Sequence, residues 1–468
     1  MKEQRKDNKQ RGASPASIYS DDGYLREDYL AGVIDVLATG QPQAVRAVVE
    51  PLHETELGDL LEALDAAQRT RLVKLAGDAF DLTALTQVDE AIRLEVIRAL
   101  SNQQIADGVQ DIDSDDAVYI LEDMAEKDQA EVLAALPLED RARMRRALDY
   151  PQESAGRRMQ LEFIAVPPFW SVGQTIDHLR DDKDLPERFH EIFVVSPQFE
   201  LLGSVALDRL LRSGRGTRIE QITEETRTIP ASEDQEMAAR LFEQYDLLSA
   251  AVVDEAKRLV GVLTIDDVVD VIHQEADEDI KRMGGVGDEE LSDSVLEIVK
   301  SRFPWLFVNL FTALLASSVI GLFDATIEQM VALAVLMPIV ASLGGNSGTQ
   351  TMTVAVRALA TREIDARNMR RVITRELLVG LFNGTVFASL IGVIAGLWFA
   401  NPQIGIVIAL AMVVNMLSAA LAGIVIPILL DRFKIDPAVA SGVFVTMVTD
   451  VVGFFAFLGL ATWWFIAR

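Results

Sequence analysis

The pattern of hydrophobic and polar positions divides the chain near residue 300. Before that point, apolar residues recur at helix or strand spacing among charged ones. After it come five apolar stretches, each long enough to cross a lipid bilayer. They cover residues 303–322, 330–359, 377–400, 404–430 and 438–466. The pattern predicts an integral membrane protein whose last part, residues 301–468, is a transmembrane domain of about five helices.

Residues 25–150 show helical periodicity and almost no strand signal, after a polar and flexible tail over residues 1–24. The segment 59–64 recurs as 95–100 and again as 131–136, so the period is 36 residues. A period of this length predicts stacked helical pairs, a short solenoid. The alternative is chance similarity among helices that are all rich in Leu and Ala.

Residues 151–270 have a different pattern, in which short apolar runs indicate buried strands. The run Val194-Val195 recurs 58 residues later as Val252-Val253, and Gly203 recurs as Gly261 at the same spacing. This predicts a duplicated strand–helix–strand–strand–helix module. Two such modules resemble a pair of CBS domains.

The CBS resemblance implies a possible adenosine nucleotide site. The ribose-binding pattern of that family, a Thr followed three residues later by Asp, is met by Thr264 and Asp267. The first copy has Ala206 and Arg209 at these places, so the resemblance implies at most one site, which could take ATP. A CBS pair that binds no nucleotide is the alternative.

Residues 271–300 connect the two parts and carry a short acidic cluster. The pattern predicts a helix, a break at residues 284–287 and a second helix that leads to the membrane. Four carboxylates precede the break: Glu275, Asp277, Glu278 and Asp279. They repel one another unless a cation lies among them. The segment is therefore either a solvated acidic face or a regulatory metal site that senses cations.

One carboxylate lies deep within an apolar stretch, at Asp450. An ionisable residue at this depth marks a pathway or a pair, and no Lys or Arg occupies the middle of any span. Gly442, Thr446 and Thr449 lie nearby and suit a water-filled cation path. A buried, protonated Asp of purely structural role is the alternative.

The second apolar stretch contains glycines and polar residues between Gly344 and Gln350. Asn346 is a possible oxygen donor to the same path. Small residues also allow helices to pack closely, and the two interpretations are compatible.

Charge supports this division of the chain. Residues 1–300 carry 63 acidic and 33 basic residues, whereas residues 301–468 carry 8 and 10. An acidic soluble part repels nucleic acid and attracts cations, including hard divalent metals that prefer carboxylate oxygen. The chain has no cysteine and only four histidines, which excludes disulfides and disfavours thiolate or histidine-rich metal sites.

The basic residues between the apolar stretches predict the orientation. Five arginines follow the second stretch, and Arg432 and Lys434 follow the fourth. The positive-inside rule places these loops and the soluble part in the cytoplasm. With five spans in the cell (inner) membrane, the C-terminus is then outside.

Four sequence motifs, taken in order, resemble the MgtE family of magnesium transporters and channels. The motifs are Tyr150–Gly156, Leu241–Leu248, Gly344–Gly348 and Asp436–Gly442, the last followed by Thr449-Asp450. The resemblance implies a homodimer with a pore between its two membrane domains and gating by cytosolic Mg²⁺. It also implies that Asp450 is the pore aspartate and that residues 268–283 form a plug helix.

Three positions depart from the family pattern: His273, Gln274 and Val443. The family often has acids at the first two and proline at the third.

The sequence thus predicts a multidomain membrane protein: an all-α helical-repeat N domain, an α/β tandem CBS pair, a connecting plug helix and a five-helix transmembrane domain. The predicted function is Mg²⁺ import gated by cytosolic Mg²⁺. Transport of Co²⁺ or another divalent ion is one alternative, and a membrane-anchored CBS sensor without transport is another. An enzyme is not expected, because the chain has no Gly-x-x-x-x-Gly-Lys phosphate loop and no cysteine or histidine cluster.

Overall fold

The computed structural model describes residues 18–183, 185–186, 188–287, 289–290, 294–364 and 367–465. The chain divides into two compact units. The first is Met1–Glu275 with Glu290–Ser292, and the second is Ala276–Glu289 with Asp293–Arg468. Each unit is described by itself below.

The first unit begins with a series of short helices. They are α1 (Glu27–Thr39), α2 (Pro42–Val49), α3 (Glu54–Ala63), α4 (Ala66–Ala76), α5 (Glu90–Ala99), α6 (Asn102–Val109), α7 (Ser114–Glu122), α8 (Glu126–Ala135), α9 (Leu138–Leu148) and α10 (Ala155–Arg158). Two 3₁₀ segments, Gly77–Ala79 and Leu82–Gln87, lie between α4 and α5.

The 36-residue repeat is present in these helices. Helices α3, α5 and α8 begin 36 residues apart, and so do α4, α6 and α9. The 3₁₀ segments take the place in the middle repeat that α2 and α7 take in the outer two. Each repeat contributes fully buried side chains to one continuous core, among them Leu60, Ile105 and Ile120. The helical N domain predicted from the repeat is confirmed.

Two copies of a small α/β module follow in the first unit. Their elements are β1 (Ala165–Val166), α11 (Val172–Asp181), β2 (Glu191–Val195), β3 (Leu201–Ala206), α12 (Leu207–Arg212), β4 (Thr228–Pro230), α13 (Gln235–Tyr245), β5 (Ser249–Val253), β6 (Leu259–Thr264) and α14 (Ile265–Met283). In each three-stranded sheet the first pair is parallel and the second antiparallel. A register shift follows Val194 in one copy and Val252 in the other, 58 residues apart.

The two copies pack against each other through their sheets. The Leu201 amide donates to the Lys257 carbonyl at 3.1 Å, and the Leu259 amide donates to the Phe199 carbonyl at 3.0 Å. This near-symmetric exchange seals a shared apolar core around Phe193. The predicted CBS pair is therefore confirmed as a fold, and α14 leaves its second copy as one long helix.

The second unit consists mainly of long helices. They are the end of α14, then α15 (Val295–Gly321), a short α16 (Asp324–Gln329), α17 (Ala332–Ala360), α18 (Met369–Trp398), α19 (Pro402–Arg432) and α20 (Pro437–Phe465). In the part of the chain that the structure describes, five of them are long and apolar enough to cross a membrane. The five predicted spans are confirmed, and the second one is a single continuous helix although it contains Pro338 and several glycines.

Glycines allow the long helices to pack closely. A Cβ added at Gly392 would lie 2.9 Å from the carbonyl oxygen of Gly405, and one added at Gly380 would lie 2.7 Å from Cβ of Ala420. Backbones can approach this closely only where side chains are absent. Helix α19 is the most buried of the five, with α17, α18 and α20 packed around it.

Gly203 in β3 provides a test of the CBS fold. Its φ is +153°, and an added Cβ would overlap the Glu224 carbonyl oxygen and lie 2.7 Å from Cγ2 of Thr223. We expect Gly203→Ala to destabilise the protein by about 1–3 kcal/mol, the usual cost of overpacking. The measurement is thermal unfolding of the purified protein. Gly216→Ala is the matched control, because no atom lies within 4 Å of a Cβ added there. Equal melting temperatures for the two variants would contradict the described packing.

Candidate functional site

Four carboxylates in the first unit form a cluster that we call the buried carboxylate cluster: the buried Asp115, the half-buried Asp116 and Asp267, and the exposed Asp270 at its edge. The first two lie in the first turn of α7, and the other two lie near the start of α14. The amide nitrogen of Gln160 lies 3.5 Å from an oxygen of Asp115 and 3.5 Å from one of Asp267. The N domain and the second CBS copy thus bring carboxylates together.

The electrostatic state of this cluster differs from that of exposed acids. Burial, reinforced by the neighbouring charges of Asp113 and Asp267, raises the pKa of Asp116 to about 7. Burial raises the pKa of Asp267 to about 6. The pKa of Asp115 is raised well above its usual range by burial and by repulsion from Asp267 and Asp116. Burial also raises the pKa of Asp270. Without a cation, the cluster favours binding protons.

A cation can take the place of these protons. Carboxylate oxygens are the ligands that Mg²⁺ prefers, and Mg²⁺ often keeps waters between itself and the protein. Among the described residues, however, no three His, Asp or Glu side chains form a ready set of metal ligands. The cluster therefore fits an ion held partly through its waters, or one that draws the carboxylates together as it binds.

The predicted nucleotide pair lies within this region. The hydroxyl of Thr264 donates a hydrogen bond to Asp267, so the two side chains are neighbours, as the ribose-binding pattern requires. Asp267 also belongs to the buried carboxylate cluster. Nucleotide binding at Thr264 and Asp267 stays a prediction.

The four acids of the connecting segment do not form one cluster. In the first unit, Glu275 accepts a hydrogen bond of 2.7 Å from the amide of Gln235, and burial raises its pKa. In the second unit, Glu278 pairs with Arg282 one turn later, while Asp277 is exposed. Asp279 lies on the same helix and is half-buried. A regulatory metal at these four residues stays a prediction.

The end of α14 contacts the start of α20 within the second unit. A guanidinium nitrogen of Arg282 donates to Oδ2 of Asp436 at 2.6 Å. Oδ1 of Asp436 accepts from the amide of Ala438 at 2.8 Å and so caps α20. A Cβ added at Gly442 would lie 3.7 Å from the Met283 carbonyl oxygen. The last residues of the connecting helix therefore lie beside the first turns of the helix that carries Asp450.

The predicted path residues share that helix. Asp450 and Gly442 are half-buried in the protomer, and Thr446 is exposed. The hydroxyl of Thr446 donates to the Gly442 carbonyl at 2.9 Å. Thr449 is fully buried, and its hydroxyl donates to the Thr446 carbonyl at 2.9 Å. Thr449 therefore packs between helices, whereas Thr446 lies on an open face.

Asn346 on α17 is exposed. The neighbouring glycines Gly344 and Gly348 are buried and provide the close helix packing that the sequence also suggested. A Cβ added at Gly348 would lie 2.5 Å from Cγ1 of Val445. The two interpretations of this stretch apply to different residues: the glycines form a packing surface, and the exposed Asn346 is available as an oxygen donor. A pore-lining role for Asn346 stays a prediction.

Three features were missed in the sequence. Asp115 and Asp116 follow Asp113 in an acidic run that is also typical of a helix N-terminus, so the run did not stand out. Arg282 lies with Lys281 in the last turn of its helix, where basic residues are common in any case, so it gave no distinct signal. Asn415 was the clearest available signal, because it is a polar residue inside the apolar stretch 404–430.

Three family models match the chain. The one described as "MgtE intracellular N domain" matches residues 52–153, the CBS domain model matches residues 219–274, and the one described as "Divalent cation transporter" matches residues 337–460. Their order is the same as that of the helical repeat, the second α/β module and the long helices.

Three curated relatives are similar over nearly their whole length, and each is named magnesium transporter MgtE. The protein of Thermus thermophilus is 31% identical over 457 residues, which are 93% of this chain and 98% of the relative. That of Enterococcus faecalis is 30% identical over 94% of this chain and 98% of the relative. The protein of Bacillus subtilis is 28% identical over 93% of this chain and 97% of the relative.

Solved structures similar to the first half of the chain include the cytosolic domain of the Mg²⁺ channel MgtE in complex with ATP. It has 26% identity and a TM-score of 0.48, and the match covers 52% of this chain and 99% of that one. Another is the soluble part of a magnesium transporter, with 26% identity and a TM-score of 0.46. That match covers 53% of this chain and 99% of the other.

The buried carboxylate cluster predicts how stability depends on pH when no divalent metal is present. The pKa of each acid is raised in the folded state, so the folded protein holds protons that the unfolded chain has released. We therefore expect the stability of the metal-free protein to fall as pH rises from about 4 to about 7. Asp116→Asn should reduce this slope and raise the melting temperature at pH 7.5.

The measurement is thermal unfolding against pH in the presence of a chelator. Asp128→Asn is the matched control, because Asp128 is an exposed acid of the same domain. If Asp116→Asn and Asp128→Asn give the same pH profile, the electrostatic description of the cluster is wrong.

Proposed function

Because the chain belongs to the MgtE family of magnesium transporters, we propose that Mg²⁺ crosses the membrane past Asp450 and that cytosolic Mg²⁺ closes this path. Membership rests on relatives that are at least 30% identical over nearly the whole chain. It establishes a Mg²⁺ transporter in a membrane, which is not a class of enzyme. It favours Mg²⁺ over the cobalt transporter and the non-transporting sensor. The residues that follow are our assignment.

The position of Asp450 is the observation that supports the path. Asp450 lies near the middle of α20, whereas the other described carboxylates of the five long helices, such as Glu297 and Asp431, lie near helix ends. A charged group at this depth is costly unless it faces water, a cation or another polar group. Mg²⁺ gives up its waters reluctantly, so the carboxylate would hold the ion through them.

A homodimer fits this path better than a monomer. One carboxylate neutralises only half the charge of Mg²⁺, whereas two copies of Asp450 facing each other would balance it. Asp450 is half-buried and Thr446 exposed in the protomer, so one side of α20 is available to a second copy. We propose that the path lies between the two membrane domains.

The orientation follows from the loop charges. The loop between α17 and α18 carries arginines, and the end of α19 carries Arg432 and Lys434. The segment between α15 and α17 carries Asp324 and Glu328 and no basic residue. The positive-inside rule then places the soluble part in the cytoplasm of the inner membrane and the C-terminus outside.

Carboxylates whose pKa values are raised can couple the Mg²⁺ concentration to the path. Mg²⁺ at the buried carboxylate cluster would replace bound protons and offset the repulsion between Asp116 and Asp267. Suppose that the protein has two conformations and that the carboxylates lie closer together in one of them. Mg²⁺ would then shift the equilibrium toward that conformation by the difference between its affinities for the two. Helix α14 starts with two of these carboxylates and ends at Met283, one residue after the Arg282 side chain that pairs with Asp436. A shift of α14 would thus act on the start of α20.

Binding of ATP is a weaker part of this proposal. Its support is the neighbouring pair Thr264 and Asp267. A similar cytosolic domain has been solved with ATP. Because Asp267 also belongs to the buried carboxylate cluster, ATP and metal would influence each other's binding at this site.

Replacement of Asp450 tests the path. We expect Asp450→Ala to lower Mg²⁺ flux into proteoliposomes at least about a hundredfold, because the carboxylate that offsets the cost of an ion in the membrane is lost. Asp324→Ala is the matched control, since Asp324 is an exposed acid at the start of α16. Wild-type flux in a well-folded Asp450→Ala dimer would rule out the assigned path.

Neutralising the acids of the connecting helix tests the gate. The variant replaces four acids by Gln or Asn: Glu275, Asp277, Glu278 and Asp279. We expect cytosolic Mg²⁺ to inhibit this variant less steeply than the wild type. Several weak sites acting together give a steep response, and fewer sites give a shallower one. The measurement is patch recording with cytosolic Mg²⁺ varied at constant ionic strength.

The control is a second variant in which four acids are neutralised in the N domain instead, so that the net charge changes by the same amount. Glu126, Asp128, Glu131 and Glu139 are exposed acids of the N domain, and their neutralisation should leave the inhibition curve unchanged. If the connecting-helix variant also keeps the wild-type curve, sensing belongs to the buried carboxylate cluster alone.

A further inference from the structure

Asn415 is a polar residue at the centre of the membrane domain. It lies on α19, and its side chain is fully buried. Its amide nitrogen donates a hydrogen bond of 2.8 Å to the carbonyl oxygen of Val340 on α17. Its Oδ1 is buried and, among the described residues, has no hydrogen-bond partner. A buried amide with an unpartnered oxygen is costly, so its presence asks for an explanation.

Two glycines enclose the Asn415 amide between neighbouring helices. A Cβ added at Gly344 on α17 would lie 2.8 Å from Cγ of Asn415. A Cβ added at Gly453 on α20 would lie 2.9 Å from Cγ and 2.9 Å from Oδ1. Both distances are shorter than real Cβ contacts allow. The amide therefore occupies a slot between α17 and α20 that exists only because both positions are glycine.

The slot adjoins the residues of the proposed path. Gly453 is three residues after Asp450, less than one helical turn along α20, and Gly344 is two residues before Asn346 on α17. One side chain on α19 thus contacts α17 and α20 at the level of Asp450. A shift of α17 along α19 would break the bond to Val340 and move Asn346 relative to Asp450.

We propose that Asn415 is a positioning residue for ion selectivity: its bond to Val340 holds α17 against α19, its amide packs on Gly453 of α20, and together these contacts fix the oxygens around the ion at Asp450. Held through its waters, Mg²⁺ presents a near-ideal octahedral shell to the surrounding oxygens, whereas Ca²⁺ accepts longer and more variable geometry. A looser arrangement of α17 and α20 would therefore favour Ca²⁺ over Mg²⁺. This inference rests on the proposed path past Asp450.

Two variants remove the hydrogen bond with different risks to folding. Asn415→Ala deletes the amide and leaves a small cavity. Asn415→Ser leaves a hydroxyl that is too short to reach Val340 and can donate to a carbonyl of its own helix, as serines in helices do. Ser418→Ala is the matched control, because the Ser418 hydroxyl donates only within α19, to the Val414 carbonyl at 3.0 Å.

The experiment measures Ca²⁺ flux and Mg²⁺ flux separately for each full-length variant in proteoliposomes, with the oligomeric state checked by light scattering. We expect the ratio of Ca²⁺ flux to Mg²⁺ flux to rise about threefold in both Asn415 variants, the fold-change that corresponds to one hydrogen bond between membrane helices. The ratio should stay at the wild-type value in Ser418→Ala. A merely structural role would lower both fluxes equally and leave the ratio unchanged.

The outcome separates this inference from the proposed path. If a folded Asn415→Ser dimer keeps the wild-type ratio while Asp450→Ala loses flux, Asn415 has only a packing role and this inference is wrong. If Asp450→Ala transports Mg²⁺ like the wild type, the path itself is wrong, and the selectivity inference is overturned with it.

Discussion

Carboxylates that are removed from bulk water need either a proton or a cation, and this constraint governs both parts of the molecule. In the first unit, burial raises the pKa values of Asp115, Asp116 and Asp267, so that these groups hold protons when no metal is available. In the membrane domain, Asp450 lies far from either end of α20. In our proposal, a hydrated divalent cation meets the need in both places, as a signal at the cluster and as the transported ion at Asp450.

Helix α14 is the element through which we propose that the two sites are coupled. Helix α14 begins with carboxylates of the cluster and ends beside α20, where Arg282 pairs with Asp436. The same Asp436 caps the helix that carries Asp450. Asp436 therefore joins the contact between α14 and α20 to the N-terminal cap of α20. In our proposal, metal binding at the cluster would change the relative free energies of conformations that differ in the position of α14.

The architecture could be predicted well because internal repeats and apolar periodicity are visible in a single sequence. The 36- and 58-residue repeats and the five apolar stretches each correspond to elements of the structure. The sites were harder, because their residues come from distant segments. Asp115 meets Asp267 only once the N domain packs on the second CBS copy, and Asn415 meets Gly344 and Gly453 only in the packed helices. The acids at 275–279 are close in sequence, but Glu275 and Glu278 have different partners in the structure.

The most direct test of the central claim is the Mg²⁺ current of the wild-type protein as cytosolic Mg²⁺ is raised at constant ionic strength. The same experiment is then repeated with only a monovalent salt raised. Our account predicts that Mg²⁺ on the cytosolic side reduces the current steeply, because it binds carboxylates at specific places, and that monovalent salt does not. An equal effect of the two salts would show that simple screening of the acidic domain is sufficient. That result would contradict gating by bound Mg²⁺.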